Sequence, residues 1–222
     1  MIPSTIFDFL KELTVNNNKE WFNDNKSKYQ TAKDDFESYI DQLIALVHSI
    51  DPTIGHPHAK DCIFRIYRDV RFSKDKLPYK NNFGAYIAHG GRKSPYAGYY
   101  LHIEPDNSFI GGGIYCPQPK ILKTVRESIM DNAEEYVDII KNKTFKKTFP
   151  EIWGEKVKTA PKGFSKNDPN IDLIRPKSYA LITNLTDEEI LDPKFEKQVI
   201  KTFNIMKPFN DFLNIAIKKG LS

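Results

Sequence analysis

Apolar positions over residues 4 to 14 recur at helical spacing, as Ile6, Phe9, Leu10 and Leu13, and Ser4 is placed to cap them. Asn16, Asn17 and Asn18 break the pattern. Asn17 stands three residues before Glu20, which predicts a capping box and a second helix starting there. Ala32, Phe36, Ile40, Leu43 and Val47 carry one helical face to about residue 48, where Asp51-Pro52 and Gly55-His56-Pro57 end it. The period then changes from 3.6 to 2. Cys62 to Tyr67, Phe83 to His89, Gly98 to Glu104 and Phe109 to Tyr115 are short β-branched or aromatic runs divided by turn residues. The gaps are too short for helical crossovers, so the spacing predicts antiparallel strands.

Pro119 opens another helical pattern with Ile121, Leu122, Val125 and Ile129 on one face, and a further one follows from about Ala133 through Val137, Ile139 and Ile140. Residues 150 to 170, rich in Pro, Lys and Gly, read as a long ordered loop. Tyr179 to Thr183 is one more candidate strand. Thr186 and Glu189 have capping-box spacing, and Asp192-Pro193 resembles a helix start. The last helix, on Phe195, Val199, Phe203 and Met206, is expected to be interrupted at Pro208 and to resume through Phe212, Leu213 and Ile217. Helices, a run of strands, then helices predict an α+β fold: a central, mostly antiparallel sheet flanked by N- and C-terminal helices, in one domain over residues 1–222.

Composition adds bounds. With 40% hydrophobic and 13% aromatic residues the chain can fill a core, which excludes a disordered chain. Cys62 and Cys116 are too few for a disulfide scaffold and are expected to be buried thiols. The N-terminal residues lack a signal peptide's basic and apolar regions, and no apolar run approaches the ~20 residues of a membrane span. No membrane and a cytoplasmic location are therefore expected.

Net charge is only +4, but it is unevenly placed: from Lys60 to Lys93 nine Lys or Arg face three Asp. Within that segment Arg65, Arg68 and Arg71, half of the six arginines, fall in seven residues of a chain that otherwise uses lysine. A guanidinium offers a planar fork for phosphate or carboxylate that an ammonium lacks. Were Cys62 to Phe72 extended, Arg65, Tyr67, Asp69 and Arg71 would share one face and Phe64, Ile66, Val70 and Phe72 the other. Arg68 falls on the apolar face, which requires either a bend near Tyr67 or a partner, with Asp69 the adjacent candidate.

The expected function is thus a site for an anionic small molecule, phosphorylated or carboxylated. Arg65, Arg68 and Arg71 form its fork, Lys74, Lys76 and Lys80 add charge, and Asp69, Asp75, Tyr79 and Arg126 support it. The bland counterpart is a salt-bridged surface, since Arg-Asp-x-Arg and Lys-Asp-Lys alternate in sign. If chemistry occurs, Asp69 or Asp75 would act as base or hold Mg²⁺; the residues do not decide whether the protein is an enzyme. The alternative is a non-enzymatic nucleic-acid binder using the same patch, with Tyr67, Tyr79 and Tyr86 as stacking partners. A protein-interaction module is a third reading and would require an exposed apolar patch.

Other motifs carry less. Gly111-Gly112-Gly113 has neither Walker A nor dinucleotide spacing and is best read as a close backbone approach. His56, His58 and Cys62 offer three ligands, short of a structural zinc site, and His89 and His102 read as satisfied structural histidines. No cofactor or metal is implied, and no nucleophile motif supports acyl transfer.

Asn16 to Phe22, the string Arg65 to Lys80, Gly111 to Gly113 with Pro117, and Ala160 to Phe164 together resemble domain-of-unknown-function family 2461, bacterial and fungal proteins. The resemblance runs over nearly the whole chain and implies one domain with no second module. It brings no established activity. The family often carries Arg in the loop where this chain has Lys162.

Overall fold

The structure is a computed structural model and describes residues 2–221. In chain order it contains α1 (Ser4–Val15), α2 (Lys19–Asp24), α3 (Lys26–Ile50), α4 (Ala59–Cys62), β1 (Phe83–Ile87), β2 (Gly98–Ile103), β3 (Ser108–Ile114), α5 (Pro119–Asp131), α6 (Ala133–Lys141), α7 (Lys143–Thr148), β4 (Tyr179–Leu185), α8 (Asp187–Leu191) and α9 (Phe195–Leu221). The strands form one antiparallel sheet in the order β1-β2-β3-β4. The fold is α+β, as the change of period predicts. Among the described residues no helix is long and apolar enough to cross a membrane.

The chain divides into two compact units that alternate along the sequence. The first comprises the chain up to Arg92, Tyr100–Ile110 and Asn184–Ile200. Its core is α1 against α3: Ile6, Phe9, Leu10 and Leu13 are buried on the shorter helix, and Ala32, Phe36, Ile40, Leu43 and Val47 on the longer one. Phe36 meets Phe83 of β1 at 5.2 Å between ring centroids, so the long helix backs the edge of the sheet. Thr186 and Glu189 form the expected capping box on α8.

The second unit comprises Lys93–Tyr99, Gly111–Thr183 and the chain from Lys201. Here α9 supports the start of β2. Asn210, fully buried, donates from Nδ2 to the Gly98 carbonyl at 3.0 Å, and Asn214 brackets Ala97 through both its N–H and its C=O. A Cβ on Gly112 would collide with the Met206 sulfur and the Gly98 carbonyl, and Gly113 adopts φ 81° with no room before Tyr179 O. This glycine run lets a helix and a neighbouring strand approach β3, as its strand-like setting predicts.

Several local expectations change. Residues 63–67 form no regular strand: α4 ends at Cys62, and Ile63 and Tyr67 make only isolated antiparallel bridges. The second helix is two helices, broken at Asn25. The N-cap is Asn18, which accepts Trp21 N–H at 2.9 Å, because Asn17 is engaged elsewhere. Pro3, not Ser4, occupies the N-cap of α1. Pro208 does not interrupt α9, which runs unbroken through it. The buried stripe of Phe203, Met206, Phe209, Phe212 and Leu213 holds the helix together where the proline removes one backbone bond. Cys62 is buried, with its thiol pushed up to about 11 by burial, whereas Cys116 is exposed beyond the end of β3.

Candidate functional site

The basic segment folds as a ribbon. Arg68 N–H donates to Pro78 O at 3.0 Å and Lys80 N–H to Ile66 O at 2.8 Å, and Tyr67 bridges Tyr79. Its base is anchored by aromatic packing. Ile66 and Tyr79 are buried, and the Tyr79 ring stacks on Phe22 at 3.9 Å and 11°. Asn17 then acts as a substitute strand neighbour. It accepts from Tyr79 N–H at 3.2 Å and donates to Tyr79 O at 3.0 Å and to Asn81 Oδ1 at 2.7 Å. Tyr79 thus spends its ring face inside the protein.

At the tip of the ribbon the charges satisfy one another. Arg71 grips Asp69 with Nε and Nη2 at 2.9 and 2.7 Å, and Arg68 donates to Asp75 at 2.5 Å. The partner of Arg68 is therefore Asp75 across the ribbon, not the adjacent Asp69. Lys76 Nζ donates to Val70 O at 3.0 Å, again across the ribbon. Asp69 is held below the usual carboxylate range chiefly by the Arg71 side chain; Asp75 is lowered first by Leu77 N–H and then by Arg68. Both carboxylates are occupied by arginine, which argues against their service as a base or as Mg²⁺ ligands. Lys74 is exposed at this tip.

Arg65 and Lys80, at the base, have a different fate. Among the described residues neither makes an ion pair with a carboxylate. Lys80 is half-buried, with its ammonium 5.6 Å over the Phe64 ring. Its pKa is lowered by burial and, secondarily, by the Arg65 charge. Lys80 is thus the cation kept in a partly dry place, within electrostatic reach of the exposed Arg65, an arrangement that favours occupation by an anion.

Beside them lies a polar line on one face of β2. Period-two alternation puts Tyr99, Leu101 and Ile103 in the core and Tyr100, His102 and Glu104 on the other face, partly open to solvent. His102 Nε2 is 3.0 Å from Glu104 Oε2, and Nδ1 is 3.0 Å from Tyr100 Oη and 3.4 Å from Asn82 Nδ2. Phe109 of β3 stacks on the imidazole at 4.4 Å and 12°. A side chain at Gly84 would overlap the Tyr100 hydroxyl, so this glycine clears its position. Asn107 donates to Glu104 Oε2 at 2.9 Å and fixes the carboxylate at the turn.

The hydrogen-bond directions follow from donor inventory. An ionised Glu104 only accepts, so Nε2 of His102 carries a proton; neutral His102 then accepts at Nδ1 from the Tyr100 hydroxyl. Burial lowers the His102 pKa, Lys80 adds to that lowering, and Glu104 opposes both. Tyr100 is pushed up to about 12 by burial and by Glu104. The line can therefore relay a proton: if His102 gains a second proton, Nδ1 becomes a donor and the Tyr100 O–H is released to face another acceptor. His102, expected from the sequence to be a satisfied structural histidine, has partners on both ring nitrogens, and the Tyr-x-His-x-Glu alternation is the sequence signal of the line it belongs to.

The remaining expected residue, Arg126, belongs to the second unit. Its Nη2 donates to Pro176 O at 2.9 Å, and its charge acts on the buried Tyr179. His56 stacks on His48 at 3.9 Å, and among the described residues no group of three His, Cys, Asp or Glu is placed to hold a metal.

The family described as conserved hypothetical protein (DUF2461) matches residues 5–212, and the chain belongs to it. No curated protein and no solved structure matches the chain.

Proposed function

We propose that this member of the DUF2461 family binds a small phosphate- or carboxylate-bearing ligand at the base of the ribbon, with Arg65 and Lys80 supplying charge and Tyr100 and His102 hydrogen bonds. The observation that carries this reading is the contrast in pairing. In one ribbon Arg68 and Arg71 have carboxylates, while among the described residues Arg65 and the half-buried Lys80 make no such pair, and the Lys80 charge acts on the His102 line. An anion seated there would relieve the repulsion between the two cations. In this reading the three-arginine fork and three added lysines expected from the sequence reduce to Arg65 and Lys80, with Arg68, Arg71, Lys74 and Lys76 assigned no part in the site.

The relay gives the reading a pH signature. Neutral His102 draws the Tyr100 proton inward. Protonated His102 frees that proton for the ligand and adds a positive charge, so affinity for an anion rises as pH falls through the histidine range. Sulfate, whose own charge is constant there, is the suitable probe.

Thermal stabilisation tests the site. Phosphate, sulfate, sugar phosphates, nucleotides, dicarboxylates and short oligonucleotides are compared on the wild type, Lys80→Gln and Arg65→Gln. A ligand at about a hundredfold its Kd adds roughly 2.7 kcal/mol to stability. The expected result is a shift with small anions that both substitutions remove and Lys74→Gln leaves intact. No shift with any of them, or one insensitive to Lys80, would sink the proposal. A shift with oligonucleotides alone, collapsing steeply with added salt, would favour nucleic-acid binding instead.

A further inference from the structure

The tip of the ribbon is left without a role by the anion site, and it has an unusual build. Phe72 is 96% exposed at its crest. The loop that displays it is cross-braced by Arg68–Asp75, Arg71–Asp69 and Lys76 to Val70 O. From Arg68 to Leu77 four cations stand against two carboxylates, so the crest is an aromatic knob in a cationic setting. A knob already ordered before contact loses little freedom on docking, and an aromatic anchor with basic neighbours is typical of the few residues that dominate an interface.

The complementary surface is in the second unit. A groove of about 830 Å³ runs between α6–α7 and the middle of α9. Its floor includes Ile139, Phe212 and Ile215, the last 57% exposed, and Glu134, Glu135 and Asp138 stand on its rim. Among the described residues these three carboxylates make no ion pair. Asp211, also on the rim, is paired with Lys207 at 2.6 Å.

We infer that the Phe72 tip of one copy docks into the acidic-rimmed groove of a second copy. Phe72 enters the apolar floor, while Lys74 and its basic neighbours face Glu134, Glu135 and Asp138. A second copy is the favoured occupant because the cationic tip and the acidic-lined groove are complementary in charge and belong to the same chain. The contact joins different surfaces of the two partners, so it either closes reciprocally into a dimer or extends. Its charged rim makes it weaken with salt.

Sedimentation or light scattering over a concentration series, at low and high salt, tests this with two variants: Phe72→Asp, and the double substitution Glu135→Lys, Asp138→Lys. All three sites are on the surface, and circular dichroism checks that both variants remain folded. The wild type is expected to associate reversibly at low salt, and each variant alone to lose at least about tenfold in association constant. An equimolar mixture retains one intact tip and one intact groove, and is expected to regain a 1:1 complex. A wild type that stays monomeric to its solubility limit, a Phe72→Asp variant that associates as well as wild type, or a mixture that stays monomeric would each overturn the inference.

Discussion

The two ends of the basic ribbon have similar composition and opposite electrostatics. At the tip, every arginine has found a carboxylate within the same short loop. At the base, Lys80 is held half-buried by a backbone pinned to Asn17, Phe22 and β1, and among the described residues neither it nor Arg65 makes an ion pair with a carboxylate. A dense run of cations in a sequence therefore measures how much charge is present and not how much is available to a ligand. Availability depends on whether the local loop can fold its own acids onto its own bases.

The strongest way to break the comparison is to remove the packing that holds the base. Phe22→Ala is expected to cost about 3–5 kcal/mol, as large aromatic truncations in a core do. Phe72→Ala at the tip should stay within about 0.5 kcal/mol, as surface changes do. Urea unfolding with unchanged slope distinguishes them, and equal costs would mean that the tip is packed in solution.

The charge contrast comes next. Lys80→Gln is expected to weaken sulfate or phosphate binding by about 1.5–3 kcal/mol, the worth of a charged hydrogen bond, whereas Lys74→Gln changes nothing. Calorimetric titration reads both. Asn17→Ala removes a clasp of three hydrogen bonds at 2.7–3.2 Å, and is expected to cost about 1–3 kcal/mol of stability and to loosen the site. Amide exchange at Tyr79 and Asn81 should accelerate more than exchange in α3. Equal acceleration in both would assign Asn17 no local role.

Acid titration separates the ends by window. His102 has its pKa lowered by burial, so in the acidic range the unfolded chain binds more protons than the folded one, and stability rises with pH. The His102 contribution is thus complete above the ordinary histidine value of about 6.5 and is lost as pH falls below it. Asp69 and Asp75 are also lowered, and the same sign places their contribution above about 4, to be lost below that. His102→Gln should flatten the first window only; if the slope near pH 6 persists, another group is responsible. The smallest effect is expected from Asp69→Asn with Arg71→Gln. That pair is exposed, and at ordinary salt its removal should shift the melting temperature least of these substitutions.

Much of the fold was legible. The change from period 3.6 to period 2 located β1, β2 and β3 to within two residues but added a strand at Cys62 to Tyr67 that does not form. The separate Tyr179 to Thr183 run marked β4, and the Thr186–Glu189 spacing predicted the cap on α8. Errors fell where a distant partner overrode a local signal. Asn17 has cap chemistry, but its amide is taken by Tyr79 and Asn81, more than sixty residues on, so Asn18 caps instead. Pro208 should break a helix by local rules, and a buried apolar stripe on both sides of it keeps α9 continuous. The site was half legible. Lys80 and Arg65 were named for their charge, while Tyr100, His102 and Glu104 were visible only as an alternation whose meaning needed Lys80, Asn82 and Phe109 beside it.

By itself the sequence determined the α+β class, the helical faces and the position of the basic segment, because these follow from backbone preferences and from periodicities within a few residues. The tertiary structure alone decided which cations are paired, which partners His102 takes, and that Phe72 stands exposed. Such outcomes depend on separations of a few ångströms between residues remote in sequence, and on local burial. Coulomb and hydrogen-bond energies change steeply over that distance, and no local pattern encodes it.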